Sequence, residues 1–233
     1  MTNKNNLVIT IGRQYGSGGR ITGKNLAKEL GIHFYDEEIL KLTSEKSAIG
    51  ETFFRLADEK AGNNILYKIL DHVKPQLRKP SLDGNMVSPE NLFRFQSEVI
   101  RSLAEEESAC IIAGRCADYI LSEAEMENVT LVRLFVYADM PTRIQRVMEV
   151  DKVDVKEAVR RIKKIDKERK DYYFYYAGKD WMDMTNYDLA INTSEIDLEQ
   201  TAEVIKDYLR LKGYQPEEIA GSEKSEEEKE SKP

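Results

Sequence analysis

The residues with the clearest chemical potential form a glycine-rich stretch near the amino terminus. Residues 7–11 (LVITI) are apolar and strand-like, and the stretch GRQYGSGGR at residues 12–20 follows them directly. Apolar residues then recur at helical spacing as far as Leu30, where Gly31 marks the end of a helix. A glycine turn between a strand and a helix lets backbone N–H groups face an anion, and the helix N-terminus adds partial positive charge. We therefore predict that a phosphate group is bound by Gly16, Ser17, Gly18 and Gly19.

The stretch matches the phosphate-binding pattern GxxxxGK[ST], known as Walker A, only in part. Gly19 and Arg20 stand where that pattern has lysine and then serine or threonine. Arg20, at the start of the helix, is our candidate for the missing cation. A shifted register places Lys24 correctly, but it leaves too little helix before Gly31 and does not explain the helical face that begins at Gly19.

A dinucleotide-binding turn of the short-chain dehydrogenase type is the alternative. Gly12, Gly16 and Gly18 have suitable spacing, and Asp36 ends the second strand, where an acid that binds ribose would lie. Tyr175 and Lys179 even supply a YxxxK motif. However, no serine precedes this motif at a distance that would complete the active site, and the strands are too few. An NAD(P)-dependent dehydrogenase is therefore the less favoured interpretation.

Further charged residues could complete a site for phosphoryl transfer. Arg115 and Asp118 follow a third strand, and ligands bind beyond the carboxyl ends of parallel strands. An arginine fork donates two parallel hydrogen bonds to a phosphate. Residues 160–170, with Arg161 among them, carry seven basic and two acidic side chains, as a cationic segment that closes over a transferred phosphoryl group would. Arg143 and Arg146 could extend this cationic rim.

These candidates must be positioned by an α/β fold. Strand patterns alternate along the chain with helical patterns, which favours a parallel sheet with helices on both faces. The interval from residue 36 to residue 108 is too long for one crossover helix, so we predict an additional helical lobe there. The strands are predicted at residues 7–11, 32–35, 109–113, 129–137 and 187–192, and the clearest helices at 89–106, 141–150, 155–172 and 198–211.

Composition narrows the class of protein. The 233 residues carry a formal net charge of −7, so no basic character indicates binding to nucleic acid or to an anionic membrane. Seven Glu and three Lys lie in residues 215–233, and we predict a disordered acidic tail over residues 214–233. Two cysteines do not make a disulfide framework, and we find neither a signal peptide nor a membrane-spanning run. A cytoplasmic protein is the simplest expectation.

The order and spacing of these parts resemble the nucleoside monophosphate kinases, and within them the cytidylate kinase-like family. The matching stretches span about residues 8–210, and they are ITIGRQYGSGGRITGKNLAKELGIHFYD, SACIIAGRCADYIL, FVYADMPTRIQRV, IKKIDKERKDYY and YDLAINTSEIDLEQTAEVI. The resemblance implies a three-layer P-loop fold with a five-stranded parallel sheet. Its kinase domain would cover residues 1–213, with an acceptor-binding lobe at 36–108 and a lid at 152–182.

The resemblance also implies a reaction and a set of roles. ATP with Mg²⁺ would be the donor, and CMP or dCMP the acceptor. The donor phosphates would lie on residues 16–19 with Arg20, and the acceptor would lie near Asp36, Arg115 and Asp118. Asp166 and Arg169 would act from the lid, with Arg169 on the transferred phosphate and Arg143 and Arg161 as supporting cations. No protein ligand for a metal ion is predicted.

Gly19 and Arg20 depart from the pattern of the nucleoside monophosphate kinases, because they remove the lysine ammonium and the hydroxyl that ligates Mg²⁺. The GSGGR form nevertheless matches the cytidylate kinase-like group. A nucleotide-binding protein with weakened catalysis therefore stays open as a second interpretation. We predict structural roles for His33 and His72, and packing roles for the aromatic residues 172–176 and for Trp181. The sequence makes no prediction about oligomeric state.

Overall fold

The computed structural model of the chain describes residues 5–51, 54, 88–216 and 219. Most of the predicted helical lobe, His72 and nearly all of the predicted acidic tail lie outside the described residues. Ile219 is buried and packs with the core of the sheet, so ordered packing continues past residue 213, the predicted end of the kinase domain. No helix among the described residues is long and apolar enough to cross a membrane.

A five-stranded parallel sheet forms the centre of the molecule. Its strands are β1 (Asn6–Arg13), β2 (His33–Tyr35), β3 (Ala109–Ala113), β4 (Val129–Tyr137) and β5 (Leu189–Asn192). They lie in the order β2-β3-β1-β4-β5, and every neighbouring pair is parallel. The carboxyl ends of all five strands therefore meet at one edge, which is where the glycine-rich stretch begins.

This strand order excludes the dinucleotide-binding alternative. In that fold the second strand lies directly beside the first. Here β3 lies between them, with Leu7 of β1 in register with Ala109 and His33 of β2 in register with Cys110 on the opposite side of β3. The dehydrogenase interpretation is therefore wrong.

Helices cover both faces of the sheet, so the predicted three-layer α/β fold is confirmed. The helices are α1 (Gly19–Leu30), α2 (Glu38–Ser47), α3 (Pro89–Glu106), α4 (Ala117–Glu123), α5 (Met140–Asp151), α6 (Val155–Ala177) and α7 (Leu198–Leu211). Side chains of β1 alternate between the two faces. Ile9 packs with α1 and α7, whereas Val8 packs with α3, α4 and α6.

Helices α5 and α6 form a hairpin that leans on the glycine-rich stretch. Val147 of α5 packs against Ala158 and Ile162 of α6, and Tyr15 contacts the same cluster. The carboxyl-terminal part of α6 packs against α3 instead, where the ring of Tyr176 stacks on that of Phe93 with centroids 3.8 Å apart. This packing extends α6 five residues beyond its predicted end at residue 172.

Candidate active site

The glycine-rich stretch forms a loop between β1 and α1. Gly16 and Gly18 have φ angles of 78° and 84°, in the left-handed region that glycine adopts without steric cost. Within the described part of the chain, the backbone N–H groups of Gly16 and Gly18 donate to no protein acceptor. Helix α1 begins directly afterwards at Gly19. The loop therefore presents unpaired donors beside the positive end of a helix dipole, which is the arrangement that binds phosphate.

Ser17 holds the loop in this shape. Its carbonyl oxygen accepts hydrogen bonds from Thr193 Oγ1 at 2.6 Å and from Arg146 Nη1 at 3.0 Å. Its own hydroxyl donates to the carbonyl oxygen of Gln14 at 2.9 Å, and the residue is fully buried. Ser17 and Arg146 therefore support the loop from beneath, and the hydroxyl of Ser17 is already used within the loop.

Asp36, after β2, lies at the centre of an arginine cluster. Its carboxylate accepts a hydrogen bond from Arg13 Nη2 at 2.8 Å and pairs with Arg20 Nε at 2.9 Å. Its carbonyl oxygen accepts from Arg115 Nε at 3.2 Å. Arg20 also pairs with Glu37 at 3.4 Å, so its guanidinium faces the end of β2. Three arginines therefore meet at Asp36 beside the phosphate-binding loop, two of them at its carboxylate and Arg115 at its backbone carbonyl oxygen.

The charges in this cluster repel one another. Burial lowers the pKa of the Arg13 guanidinium, Asp36 raises it, and the charges of Arg115 and Arg20 lower it, with a net fall. Burial and the charge of Arg13 lower the pKa of Arg169 to about 9. An anion bound among these groups would relieve both the repulsion and the cost of burial.

Arg169 and Asp166 reach the loop from α6. Arg169 Nη1 donates to the carbonyl oxygen of Arg13 at 2.7 Å, and its guanidinium lies 5.9 Å from the ring centroid of Tyr15. Asp166 accepts from the backbone N–H of Tyr15 at 2.8 Å, and its second oxygen pairs with Arg143. Asp166 therefore fastens the helix to the loop, whereas Arg169 faces the cavity above it.

The other predicted supporting cations lie in structural contacts. Arg143 is buried and, besides pairing with Asp166, donates through Nε to the carbonyl oxygen of Tyr15 at 2.8 Å. Arg161 pairs with Asp151 at 2.8 Å and with Glu157 at 2.9 Å. Neither arginine lines the cavity, so both act in this structure by positioning α5, α6 and the loop.

The residues after β3 make a strained turn. Gly114, Arg115 and Cys116 have φ angles of 75°, 59° and 54°, three successive left-handed residues. For the two that are not glycine, this conformation costs about 1–3 kcal/mol each. The turn carries Arg115 to the carbonyl oxygen of Asp36 and starts α4, which holds Asp118.

Asp118 is a buried carboxylate at the far side of the cavity. It accepts a hydrogen bond from the hydroxyl of Tyr173 at 2.7 Å. Burial raises the pKa of Asp118 despite this bond and the positive charge of Arg133. An acid that is costly to keep ionised and lies against a cavity is a candidate for ligand binding.

One cavity of about 790 Å³ joins these parts, a volume typical of small-molecule sites. It lies at the carboxyl edge of the sheet, between the glycine loop, the ends of β2 and β3, and α6. Predicted residues that line it are Gly16, Gly18, Gly19, Arg20, Asp36, Arg115, Asp118, Arg146 and Arg169. Predicted residues outside its lining are Ser17, Arg143, Arg161 and Asp166. Arg13 lines the same cavity and was not predicted.

The model of the cytidylate kinase-like family matches residues 8–195 of this chain. The chain belongs to that family. It is 26% identical over 206 residues to the cytidylate kinase of Methanopyrus kandleri, a match that covers 86% of this chain and 91% of that protein. A match to the cytidylate kinase of Staphylothermus marinus, 26% identical over 99 residues, covers 42% of this chain and only 53% of that protein.

A solved structure shows the same fold. The crystal structure of an uncharacterized protein from Eubacterium ventriosum has a TM-score of 0.62 and 28% identity, and the match covers 88% of this chain and 98% of that one. Membership of the cytidylate kinase-like family supports a kinase-type enzyme that acts on nucleotides. Among the described residues, the N–H groups of Gly16 and Gly18, which donate to no protein acceptor, and the arginine cluster line one cavity.

Proposed function

We propose that this member of the cytidylate kinase-like family transfers the γ-phosphoryl group of ATP to a nucleoside monophosphate, with CMP and dCMP as the first candidates. The observation that carries the proposal is the shared cavity, in which unpaired backbone donors at Gly16 and Gly18 lie beside arginines that meet at Asp36. The phosphates of a nucleoside triphosphate would lie at the glycine loop, and the phosphate of a nucleoside monophosphate would lie at the arginines near Asp36.

The chemistry would come from positioning and charge stabilisation. In phosphoryl transfer, negative charge spreads over the oxygens of the transferred group, and preorganised donors stabilise it. The loop would hold the donor phosphates, and Arg169 would lie over the transferred group from α6. Arg20 was predicted to bind the donor phosphates, but its ion pairs with Asp36 and Glu37 turn it toward β2. We therefore assign Arg20, with Arg115, to the phosphate of the acceptor.

The position of Asp118 favours an acceptor whose base or sugar can donate a hydrogen bond at the side of the cavity away from the phosphates. Its carboxylate lies in the cavity lining and is already oriented by Tyr173. A carboxylate whose ionised form is destabilised by burial gains from a ligand that donates a hydrogen bond to it. The exocyclic amine of cytosine is a donor of this kind, so CMP and dCMP fit this position, and a sugar hydroxyl would serve any of the nucleotides.

Mg²⁺ would enter with the donor as MgATP. Among the described residues, no group of three or more His, Cys, Asp or Glu side chains could hold a metal ion. Arg20 stands where a serine or threonine commonly ligates Mg²⁺, and the Ser17 hydroxyl donates to Gln14. Because Mg²⁺ often keeps several waters and substrate phosphates as ligands, the site is compatible with MgATP as a unit.

ADP formation measured across a panel of acceptors tests the proposal. CMP, dCMP, UMP and AMP would each be added to enzyme with MgATP, and the rate compared with the rate without acceptor. We expect a rate well above the background with at least one pyrimidine monophosphate. Rates equal to the background on every acceptor would contradict the proposed transfer.

A nucleotide-binding protein with weakened catalysis is the second candidate. One observation favours it, since Gly19 supplies no side-chain cation where the Walker A pattern has lysine. This candidate predicts that ATP raises the melting temperature while no acceptor is phosphorylated. The same panel, run beside a thermal unfolding series with ATP, separates the two candidates.

A further inference from the structure

We infer that Arg13 supplies the positive charge that Walker A proteins take from their loop lysine, and that its guanidinium binds the γ-phosphate of the donor. This inference rests on the proposed function and names a phosphate-binding residue within it. It also explains why residue 19 is glycine, because the two positions compete for the same space.

Gly19 and Arg13 are direct neighbours. A Cβ atom on residue 19 would lie only 2.8 Å from Cβ of Arg13 and 3.1 Å from Cβ of Val136. Contacts under 3.0 Å between such atoms are avoided in folded proteins because packed side chains cannot yield to them without strain. Any side chain at position 19, lysine included, is therefore sterically incompatible with a Cβ atom on residue 13 and would also crowd Val136.

Gly114 also leaves space for the side chain of Arg13. A Cβ atom on Gly114 would lie 2.8 Å from Nη1 of Arg13. The Arg13 side chain thus starts beside the loop at Gly19, passes Gly114 at the end of β3 and ends against Asp36, whose carboxylate orients it. Its guanidinium lies between the loop and the residues that would hold the acceptor.

The position suits a cation that must act on a phosphate. The Arg13 side chain is only 13% exposed, lines the cavity, and shares the carboxylate of Asp36 with Arg20. Arg169 is tied to the same residue through the Arg13 carbonyl oxygen. A planar guanidinium can therefore keep one edge on Asp36 and present donors to a phosphate oxygen.

The first test compares Arg13→Gln with Arg13→Lys by measuring binding of ATP, ADP and AMP in the absence of acceptor. If Arg13 binds the γ-phosphate, Arg13→Gln lowers the affinity for ATP about 10- to 100-fold and the affinity for AMP far less. Arg13→Lys keeps a charge and retains a larger share of the preference for ATP. Lys24→Gln, which removes an exposed charge from α1, is the matched control and leaves the affinities unchanged. An unchanged ratio of ATP to AMP affinity in Arg13→Gln would overturn the inference.

The second test exchanges the two positions. Gly19→Lys alone should weaken ATP binding or unfold the loop, because its side chain meets Arg13. Arg13→Gly/Gly19→Lys removes the Cβ of residue 13 and restores the usual lysine, so its ATP affinity should exceed that of Arg13→Gly by at least about tenfold. Arg13→Ala/Gly19→Lys keeps the Cβ atom on residue 13 that collides with residue 19, so it should recover less of the ATP affinity. If Gly19→Lys changed the ATP affinity equally in the wild-type and Arg13→Gly backgrounds, residues 13 and 19 would not compete for the same space.

These measurements separate the inference from the proposed function. If the wild-type chain binds ATP but phosphorylates no acceptor, the proposed transfer fails while the role of Arg13 is still measured by the affinity ratio. Tripolyphosphate serves as a further probe, because it has no base or sugar and its binding depends on the phosphate-binding groups alone. Arg13→Gln should weaken tripolyphosphate binding to a similar degree as ATP binding, and unchanged tripolyphosphate binding would count against the inference.

Discussion

Asp166 accepts a hydrogen bond from the backbone N–H of Tyr15 at 2.8 Å, across 151 positions of sequence. This bond joins α6 to the glycine loop at the point where the loop turns toward α1. The second carboxylate oxygen of Asp166 pairs with the buried Arg143 of α5. One acidic side chain therefore fixes the loop, α5 and α6 in a single arrangement.

Asp166→Asn should destabilise the fold, because it leaves the Arg143 guanidinium buried without a counter-charge. Breaking a pair of this kind costs about 3 kcal/mol, which corresponds to a fall of roughly 6–12 °C in melting temperature for a chain of this size. Thermal unfolding monitored by circular dichroism measures the change. Asp171→Asn is the control, since Asp171 pairs with the exposed Lys167 on the same helix and should change stability by less than about 1 kcal/mol. Equal small shifts in the melting temperature of both variants would contradict this role of Asp166 in joining the loop, α5 and α6.

Arg20→Ala should weaken binding of the acceptor more than binding of the donor. Arg20 pairs with Asp36 and Glu37 at the end of β2, and its guanidinium is turned toward that side of the cavity. We expect the KM for the acceptor to rise about tenfold or more, with a smaller change in the KM for ATP. Steady-state kinetics on both substrates checks this, with Lys24→Ala as the control for charge on α1. A rise confined to the KM for ATP would place Arg20 on the donor instead.

Asp118→Asn should raise stability and lower activity. Burial raises the pKa of Asp118, so the folded protein holds this proton up to a higher pH than the unfolded chain does. The associated stability is present at low pH and is lost as the pH rises through the raised pKa. The advantage of Asp118→Asn over the wild type should therefore grow with pH, and each 1 kcal/mol would appear as about 2–4 °C in melting temperature. Melting curves from pH 4 to pH 8 measure it, and an advantage that shrinks with rising pH would contradict the assignment.

Arg169→Gln should separate phosphate binding from folding. The buried charge of Arg169 is costly before an anion binds, which is the reason for its lowered pKa of about 9. The variant should therefore be no less stable than the wild type without ligand, yet gain less melting temperature from ATP. Turnover should fall about 10²- to 10³-fold, as for the loss of one donor to a transition state. A normal stabilisation by ATP in this variant would show that Arg169 does not contact the phosphates.

Local sequence signals account well for the elements with strong boundaries. Helix α3 begins at Pro89 as predicted, because the Ser88 hydroxyl accepts a hydrogen bond from the N–H of Asn91 at 3.2 Å and proline fits the first turn. Strand β3 is buried along its whole length, which its unbroken apolar run predicts. Gly31 ends α1 in the left-handed conformation expected of a C-terminal glycine.

The parts that sequence reasoning missed depend on contacts between distant residues. Helix α4 starts at Ala117 after Cys116, a left-handed residue that no local propensity indicates. Arg13 reaches the cavity because residue 19 and residue 114 both lack side chains, a condition set across 100 positions of sequence. An arginine directly after Gly12, together with glycine in place of the lysine, was the only local signal for its role.

In the proposed reaction, the γ-phosphoryl group of ATP moves to a nucleoside monophosphate in this cavity. Phosphorus NMR of a reaction containing MgATP, CMP and the purified chain measures this most directly, because it resolves every phosphate of donor and acceptor. We predict that ADP and CDP appear together in a one-to-one ratio while free phosphate stays at the background level. Consumption of ATP with release of free phosphate alone, or no consumption of ATP with CMP, dCMP or any other monophosphate, would contradict the proposed reaction.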